Sequence, residues 1–306
     1  MDEQARFRGA LLGLACGDAV GTTVEFQPRG TFEPVTDMVG QGPFHLQAGQ
    51  WTDDTSMALC LATSLVEMGK FDPADQMKRY CNWMNNGYLS STGHCFDIGV
   101  TTAGALRYYL ATGNPYSGPT DLQSAGNGSI MRLAPASLFF YPDIAAAIHF
   151  GGESSRTTHG AAEAVDACRL FSALLCKALA GEPKELILFG THFPAGVDVA
   201  LSPKIQALAE GIYRDKRASA IVANGYVVNS LEAALWSFWS TDNFRDAILA
   251  AVNLGDDADT TAAVCGQLAG AYYGESGIPK TWLTHLTMLT EIKALADRLF
   301  LTNLGA

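Results

Sequence analysis

The 306-residue sequence predicts an all-α protein, because apolar residues recur at helical spacing over most of its length. The alternation of apolar and polar residues that is typical of strands is nearly absent. The stretches between the periodic segments are polar and rich in glycine, as connections between helices commonly are. These observations favour a helical scaffold whose loops carry the unusual polar residues.

Helical periodicity predicts nine helices along the chain. In order, they cover residues 3–16, 55–68, 74–85, 97–111, 160–180, 230–239, 243–252, 260–273 and 281–299. Polar, glycine-rich connections are predicted at residues 17–50, 86–96 and 112–129. No change of composition, low-complexity linker or repeat marks a boundary between segments. Residues 1–306 are therefore expected to form a single compact domain.

Composition excludes several classes of protein. Hydrophobic residues make up 48% of the chain, which argues against disorder, and the net charge of −11 disfavours general binding to nucleic-acid backbones. No uncharged apolar run approaches the roughly 18 residues of a membrane span, and the first residues indicate a helix instead of an export signal. Seven cysteines without a C-x-x-C pair disfavour zinc ribbons and disulfide frameworks, so a reducing, cytoplasmic compartment is expected.

Three carboxylates crowd the stretch NLGDDADTTAAVCGQLAG, residues 253–270. Asp256, Asp257 and Asp259 stand directly ahead of a run of small apolar residues. One carboxylate can cap the first turn of a helix, where its charge also suits the helix dipole. The others repel one another unless a positive ion lies between them. A charged helix cap and a cation site are the two alternatives.

A second acidic helix start, GQWTDDTSMALCLATSLVE, contains Thr52, Asp53, Asp54 and Thr55. Either stretch alone is more typical of a helix cap than of a metal site. Two such starts can face each other, and cations shared between them would remove the repulsion within each. Carboxylate and hydroxyl oxygens are hard ligands, so the pair favours Mg²⁺ or Mn²⁺ over Zn²⁺.

Six motifs in one order resemble the ADP-ribosylglycohydrolase family, and in particular the glycohydrolases that reactivate ADP-ribosylated dinitrogenase reductase. They are GLACGDAVGTTVEF, WTDDTSM, FDIGVTT, GNGSIMRLAP, TTHG and LGDDADTTAAVCGQLAGAYYG, and they lie between residues 9 and 274. Each motif is weak alone, whereas the series is specific. The resemblance implies a single compact orthogonal helical bundle of the ADP-ribosylglycohydrolase type.

A dinuclear metal centre is the first functional feature that the resemblance implies. Two Mg²⁺ or Mn²⁺ ions would be held by Thr52, Asp53, Asp54, Asp257, Asp259 and Thr260. Asp256 would be a neighbour of this centre without an assigned ligand role.

Two further carboxylates are implied as catalytic residues. Glu25 follows Gly17 and Gly21, which we expect in a turn that lets the backbone approach a ligand. The resemblance places Glu25 beside the metals, where it would orient substrate or water, whereas the residue alone is more typical of a solvated loop. Asp97 would act as an acid or base on the ribose, cap the helix that follows it, or do both.

A nucleotide-binding turn is implied at Asn127, Gly128 and Ser129, whose amides can cradle a diphosphate. The family uses this segment to contact ADP-ribose and carries the Thr-His pair of TTHG next to the nucleotide. His159 is therefore expected to bind substrate, although a lone histidine is more often structural. Arg132 could pair with phosphate or with a structural carboxylate, and the sequence does not separate these alternatives.

The resemblance implies a divalent-metal-dependent hydrolase that releases ADP-ribose from modified acceptors, with ADP-ribosylarginine on proteins as the favoured substrate. Hydrolysis of a linkage to serine, a nucleobase or an acetyl group, and binding of ADP-ribose without catalysis, are the alternatives. Nucleic acid would enter only as a modified substrate. A monomer is expected, although the sequence identifies neither the acceptor nor the oligomeric state.

Overall fold

Helices carry the regular structure of residues 2–197 and 199–303, which are the residues that the computed structural model describes. Over these residues the extended pairing is limited to two isolated β-bridges, Gln41 with Leu46 and Gly126 with Tyr226. The prediction of an all-α protein is therefore confirmed. None of the described helices is both long enough and apolar enough to cross a membrane.

The helices of the described residues follow one another in this order. They are α1 (Glu3–Gly21), α2 (Asp53–Met68), α3 (Pro73–Asn86), α4 (Val100–Thr112), α5 (Ala134–Phe140), α6 (Ile144–Arg156), α7 (Ala162–Leu179), α8 (Lys184–Phe189), α9 (Pro203–Ala209), α10 (Val227–Trp239), α11 (Phe244–Val252), α12 (Ala258–Tyr273), α13 (Lys280–His285) and α14 (Leu289–Asn303).

Local sequence signals fix several of the helix ends. Asp72 caps α3 by accepting a hydrogen bond of 3.0 Å from the third following amide, and Pro73 occupies the first helical position. Gly69, Gly87 and Gly113 end α2, α3 and α4 in the left-handed conformation that glycine adopts without a steric penalty. These ends account for the good match with the predicted helices 55–68, 74–85 and 97–111.

Four helices, α5, α6, α8 and α9, lie where periodicity predicted none. Helices α8 and α9 have six and seven residues, too few for a clear periodic pattern. In α6, Gly151 and Gly152 stand where the helical pattern needs larger apolar residues. They are glycines because they face α7 directly. A Cβ on Gly151 would lie 2.2 Å from the Ser172 hydroxyl.

The predicted helix 281–299 is two helices, α13 and α14. Between them, Leu286 is extended and Met288 has a φ of 55°. This break lets the N–H of Thr287 donate to the Gly49 carbonyl at 2.9 Å. The loop that precedes α2 is thereby tied to the far end of the chain, a contact that periodicity does not record.

Helices α1 and α12 pack with their backbones in direct contact. Glycine recurs at every fourth position of α1, and a Cβ on Gly13 would lie 2.2 Å from the Gly266 carbonyl oxygen of α12. A Cβ on Gly17 would lie 2.1 Å from the Ala262 carbonyl oxygen. The expectation that Gly17 and Gly21 form a ligand-approaching turn is therefore wrong, because both lie inside α1 and allow α12 to approach.

This close contact determines where the functional groups meet. The C-terminal end of α1 and the N-terminal ends of α2 and α12 lie side by side above one large core, which includes the buried side chains of Trp51, Trp83, Phe171 and Phe238. A helix N-terminus carries a partial positive charge, so the N-termini of α2 and α12 stabilise the acidic residues that begin these two helices.

Candidate active site

A cavity of about 550 Å³ opens beside the N-termini of α2, α4 and α12. This volume lies in the range typical of small-molecule sites. Six carboxylates line the cavity, and no lysine or arginine of the described residues does so. They are Glu25, Asp53, Asp97, Asp256, Asp257 and Asp259.

The first acidic helix start is held in place by a carboxylate from α1 that the sequence analysis did not single out. Asp18 is fully buried and accepts from Thr52 at N and Oγ1, at 2.8 and 3.0 Å, and from Thr55 at N and Oγ1, at 3.0 and 2.6 Å. Burial raises the pKa of Asp18 to about 6, although the hydrogen bonds from Thr55 and Thr52 act to lower it. The sequence does contain a signal for this role, since Asp18 is an aspartate within the otherwise apolar stretch of α1.

Helix capping does not explain the two acidic clusters. No side chain of the N-cap residue of α2 or of α12 accepts from its own helix. Asp18 supplies the acceptor for the first turn of α2, so the charges of Asp53 and Asp54 are not needed there. Neither helix start therefore has a hydrogen-bonded cap from its own N-cap residue, although the carboxylates lie in the first turns, where their charge suits the helix dipole.

The two helix starts face each other and exchange hydrogen bonds. Thr52 Oγ1 of the first shares its single proton between Asp18 and Asp259 Oδ2 of the second, which lies 3.1 Å away, and Thr260 Oγ1 donates to Asp54 Oδ1 at 3.2 Å. The structure thus brings the six residues expected as metal ligands into one place. Their roles as ligands remain a prediction.

Two oxygen atoms at this junction have no donor. Asp54 Oδ2 and Asp259 Oδ1 are buried and without a hydrogen-bond partner among the described residues. Burial, together with repulsion between neighbouring carboxylates, raises the pKa values of Asp53, Asp54 and Asp259 well above the usual range. Buried carboxylate oxygens without donors fit a hard cation, which would satisfy the oxygens and compensate the repulsion.

Glu25 and Asp97 complete the acidic group. One ligand atom from each of Glu25, Asp97 and Asp259 lies within 4.8 Å of the other two. Glu25 is 3% exposed, so the alternative of a solvated loop residue is wrong. Burial, followed by repulsion from Asp97, raises the pKa of Glu25 to about 10, and burial raises the pKa of Asp97 to about 7.

The structure contradicts the capping role considered for Asp97. Helix α4 begins after Gly99, its N-cap residue, and no side-chain cap is present. Asp97 lies two residues earlier in a left-handed conformation, with a φ of 60°, that turns the chain towards the cavity. A non-glycine residue in this conformation is uncommon, and such strain concentrates at functional sites.

The glycine-rich turn at residues 126–129 forms another wall of the cavity. Asn127 Nδ2 donates to Asp257 Oδ2 at 2.6 Å and to the Ser230 hydroxyl at 2.8 Å, which ties the turn to the acidic group. The N–H groups of Gly128 and Ser129 have no acceptor among the described residues. Ser129 does not line the cavity, and its buried hydroxyl accepts from Ser155 at 2.8 Å.

Arg132 stands fully buried behind this turn, outside the cavity lining, and pairs with no carboxylate of the described residues. Its buried guanidinium donates to the Gly128 carbonyl and to Thr158 Oγ1, the latter at 2.7 Å, and it forms no ion pair among the described residues. Both alternatives considered for Arg132 are thus replaced by a structural role. The arginine shapes the turn from within the core.

His159 lies against the same turn. A Cβ on Gly128 would lie 2.8 Å from its Cε1 atom, so only glycine fits beside the ring. Burial, and then the charge of Arg132, lower the pKa of His159 to about 3, so the ring is neutral at neutral pH. Thr158 Oγ1 lies 2.9 Å from His159 Nδ1 and already accepts from Arg132. When this hydroxyl donates to Nδ1, the ring proton is on Nε2, which lies 3.2 Å from the position of a Cβ on Gly128.

Comparison with known proteins identifies the family. The family model described as ADP-ribosylglycohydrolase matches residues 1–305. The chain is 49% identical to the ADP-ribosylarginine hydrolase Tri1 of Pseudomonas putida (strain GB-1), over 97% of this chain and 79% of the relative. It is 32% identical to the ADP-ribosyl-[dinitrogen reductase] glycohydrolase of Rhodospirillum rubrum, over 94% and 92%.

A solved structure gives the same result. A chain described as an ADP-ribosylglycohydrolase-related protein complex superimposes with a TM-score of 0.85 and 45% sequence identity, covering 98% of both chains. The helical bundle expected from the resemblance is therefore confirmed. The chain is an enzyme of the ADP-ribosylglycohydrolase family.

Proposed function

We propose that this enzyme is a divalent-metal-dependent hydrolase that removes ADP-ribose from arginine side chains of proteins. One observation carries the metal dependence: two acidic helix starts face each other and leave Asp54 Oδ2 and Asp259 Oδ1 buried without donors. The 49% identity to a protein named ADP-ribosylarginine hydrolase supports arginine as the acceptor.

The proposed metal ligands are the residues of the two helix starts. Thr52, Asp53, Asp54, Asp257, Asp259 and Thr260 would hold two Mg²⁺ or Mn²⁺ ions. When bound, such cations supply Lewis-acid stabilisation of negative charge on substrate oxygens and lower the pKa of coordinated water. Asp18 and Asn127 would orient Thr52 and Asp257 through the hydrogen bonds they make.

Glu25 and Asp97 are the proposed proton-transfer groups. Their carboxyl groups lie together beside Asp259, on the side of the acidic group that lines the cavity. In the reaction, the bond between the anomeric carbon and the guanidine nitrogen breaks, and a bond from that carbon to a water oxygen forms. One carboxyl group accepts a proton from the water and the departing nitrogen takes one up, so ADP-ribose and arginine are the products.

The remaining ADP-ribose is proposed to lie along the turn at residues 126–129. No lysine or arginine of the described residues lines the cavity, so we assign the diphosphate to N–H groups of this turn and its neighbour His159. The unpaired N–H of Gly128 and a ring N–H of His159, both of which line the cavity, are suitable donors, and the unpaired N–H of Ser129 follows on the same turn. The Asn127 side chain is already committed to Asp257, so we assign it to positioning this turn.

We also propose that the enzyme is a monomer, since every residue that we assign to the site comes from one chain. We also propose a single domain, because the main cluster of buried apolar side chains runs from Phe7 to Leu299. All seven cysteines are free thiols. Free thiols support a cytoplasmic location, where reducing conditions preserve them.

A turnover assay on three substrates tests the proposal. Proteins bearing ADP-ribosylarginine or ADP-ribosylserine, and ADP-ribosylated nucleic acid, are incubated with the enzyme and Mg²⁺ or Mn²⁺, and free ADP-ribose is measured. We expect the highest kcat/KM for ADP-ribosylarginine. Preference for serine or nucleobase would replace the acceptor while keeping the reaction, and binding of ADP-ribose without any release would indicate a non-catalytic reader.

A further inference from the structure

Phe26 and Asp256 form a clip at the mouth of the cavity. The N–H of Phe26 donates to the Asp256 carbonyl at 2.7 Å, and the N–H of Asp256 donates to the Gln27 carbonyl at 2.8 Å. Both residues are left-handed, with φ of 64° for Phe26 and 54° for Asp256. Neither is glycine, so each conformation costs free energy, of order 1–3 kcal/mol per residue, which the rest of the structure must offset.

The clip presents two side chains to solvent. Asp256 is exposed, and its carboxylate has no hydrogen bond or ion pair with any described residue. Phe26 is 64% exposed, and its ring meets the edge of Phe44 at 6.3 Å. Phe44 in turn lies 5.1 Å from Phe96, so aromatic contacts support the exposed ring. An unpaired carboxylate and a supported aromatic face thus line one opening.

Their place in the sequence puts both side chains beside the reacting groups. Phe26 follows Glu25 and Asp256 precedes Asp257, and all four residues line the same cavity. The glycine-rich turn and His159 form a different wall, where we place the rest of ADP-ribose. Phe26 and Asp256 are exposed whereas Glu25 is buried, so the two side chains lie on the solvent side of this carboxyl group, away from the wall that we assign to the rest of ADP-ribose.

We infer that Phe26 and Asp256 form the acceptor subsite and recognise the guanidinium group of the modified arginine; the inference rests on the function proposed above. A guanidinium is a planar cation that binds a carboxylate through paired N–H donors and stacks on an aromatic face. Asp256 supplies the carboxylate and Phe26 the face. A serine hydroxyl offers neither a charge nor a plane, so the subsite favours arginine.

Steady-state kinetics of Asp256→Asn test the subsite. Asparagine keeps the shape of aspartate and tolerates a positive φ, so the clip is preserved while the charge is lost. We expect KM for ADP-ribosylarginine to rise about tenfold, the size of one charge-assisted contact of about 1.4 kcal/mol, while kcat changes less than KM. Asp215→Asn, at an exposed carboxylate outside the cavity lining, is the matched control and should behave as wild type.

The aromatic face has its own pair of variants. Phe26→Leu should raise KM for ADP-ribosylarginine about threefold, in line with the loss of an exposed cation–π contact. Phe26→Tyr keeps an aromatic face, so its KM should stay near the wild-type value. The dissociation constants of ADP-ribose and of Mn²⁺, measured by calorimetry, should match wild type in Asp256→Asn and Phe26→Leu. This binding readout separates an acceptor contact from damage to the metal centre.

The KM of Asp256→Asn and its affinities for ADP-ribose and Mn²⁺ decide whether Asp256 belongs to an acceptor subsite. An unchanged KM in Asp256→Asn, with wild-type turnover of ADP-ribosylarginine, overturns the subsite and leaves the proposed function standing. An equal loss of affinity for ADP-ribose or Mn²⁺ also overturns it, because Asp256 would then serve the nucleotide or the metals. A wild-type enzyme that releases no ADP-ribose from arginine overturns the function and the subsite together.

Discussion

Asp18 of α1 binds Thr55 of α2 twice through a single oxygen. Its Oδ2 atom accepts from the Thr55 hydroxyl at 2.6 Å and from the Thr55 N–H at 3.0 Å. The other oxygen of Asp18 accepts two equivalent bonds from Thr52. The buried carboxylate of Asp18 therefore holds the first turn of α2, where Asp53 and Asp54 lie. The position of the acidic site thus depends on the contact between Asp18 and Thr55.

We predict that Asp18→Asn destabilises the protein by about 1–3 kcal/mol, because an amide N–H₂ would face donors of Thr55 or Thr52 that need an acceptor. Urea unfolding measures the change. Asp72→Asn is the control, since Asp72 is a partly exposed cap of α3 and asparagine caps about as well. Equal, small losses in both variants would show that the buried bonds do not hold α2.

The surroundings of two glycines predict opposite effects of their replacement by alanine. Gly266→Ala should cost about 3 kcal/mol or more, because its Cβ would lie 2.0 Å from the Gly13 carbonyl oxygen. Gly104→Ala should stabilise by roughly 0.5–1 kcal/mol, because Gly104 lies on α4 with open space beside it. Thermal unfolding of both variants gives the comparison, and a tolerated Gly266→Ala would contradict the packing.

Metal binding should follow the assigned ligands. Calorimetry with Mn²⁺ is expected to show strong loss of binding in Asp257→Ala and Asp259→Ala, but little loss in Asp256→Asn. A chelator should lower the melting temperature of wild type, and Mg²⁺ or Mn²⁺ should restore it, because a ligand of the folded state stabilises by about 2.7 kcal/mol at a hundredfold its Kd. Similar losses in all three variants would show that the ligand assignment is wrong.

His159 predicts a dependence of stability on pH. Its pKa is about 3 in the folded protein against 6.5 for a free side chain, so the unfolded chain binds more protons between these values. The stability from neutral His159 is therefore complete above pH 6.5 and is lost as the pH falls. From pH 8 to pH 5, wild type should lose about 2 kcal/mol more than His159→Gln in urea unfolding. Parallel pH profiles of the two proteins would contradict the buried neutral ring.

The sequence predicted the acidic centre because repulsion between adjacent carboxylates is a local property. Asp53 with Asp54, and Asp257 with Asp259, stand out without knowledge of the fold. The use of Gly17 could not be read in the same way, because its partner Ala262 lies on a helix near the other end of the chain. A glycine that admits a ligand and one that admits another helix look alike in sequence.

Other errors have the same origin. Asp97 precedes a helix, and such a position is typical of a cap, but its left-handed backbone directs it to the cavity instead. Asp18 sits in the middle of an apolar helix, and only the folded structure shows that its partners are Thr52 and Thr55. Long-range partners decide such roles, whereas helical spacing reports only which residues share a face.

The rate of ADP-ribose release from ADP-ribosylarginine by wild type and by Asp97→Asn tests the central claim most directly. Asparagine keeps the size of the side chain but cannot exchange a proton as a carboxyl group does. We predict that wild type with Mg²⁺ or Mn²⁺ releases ADP-ribose and unmodified arginine in equal amounts. Asp97→Asn should bind ADP-ribose and metal normally yet release product about a hundredfold more slowly. No release by wild type, or release at the wild-type rate by Asp97→Asn, would contradict the account.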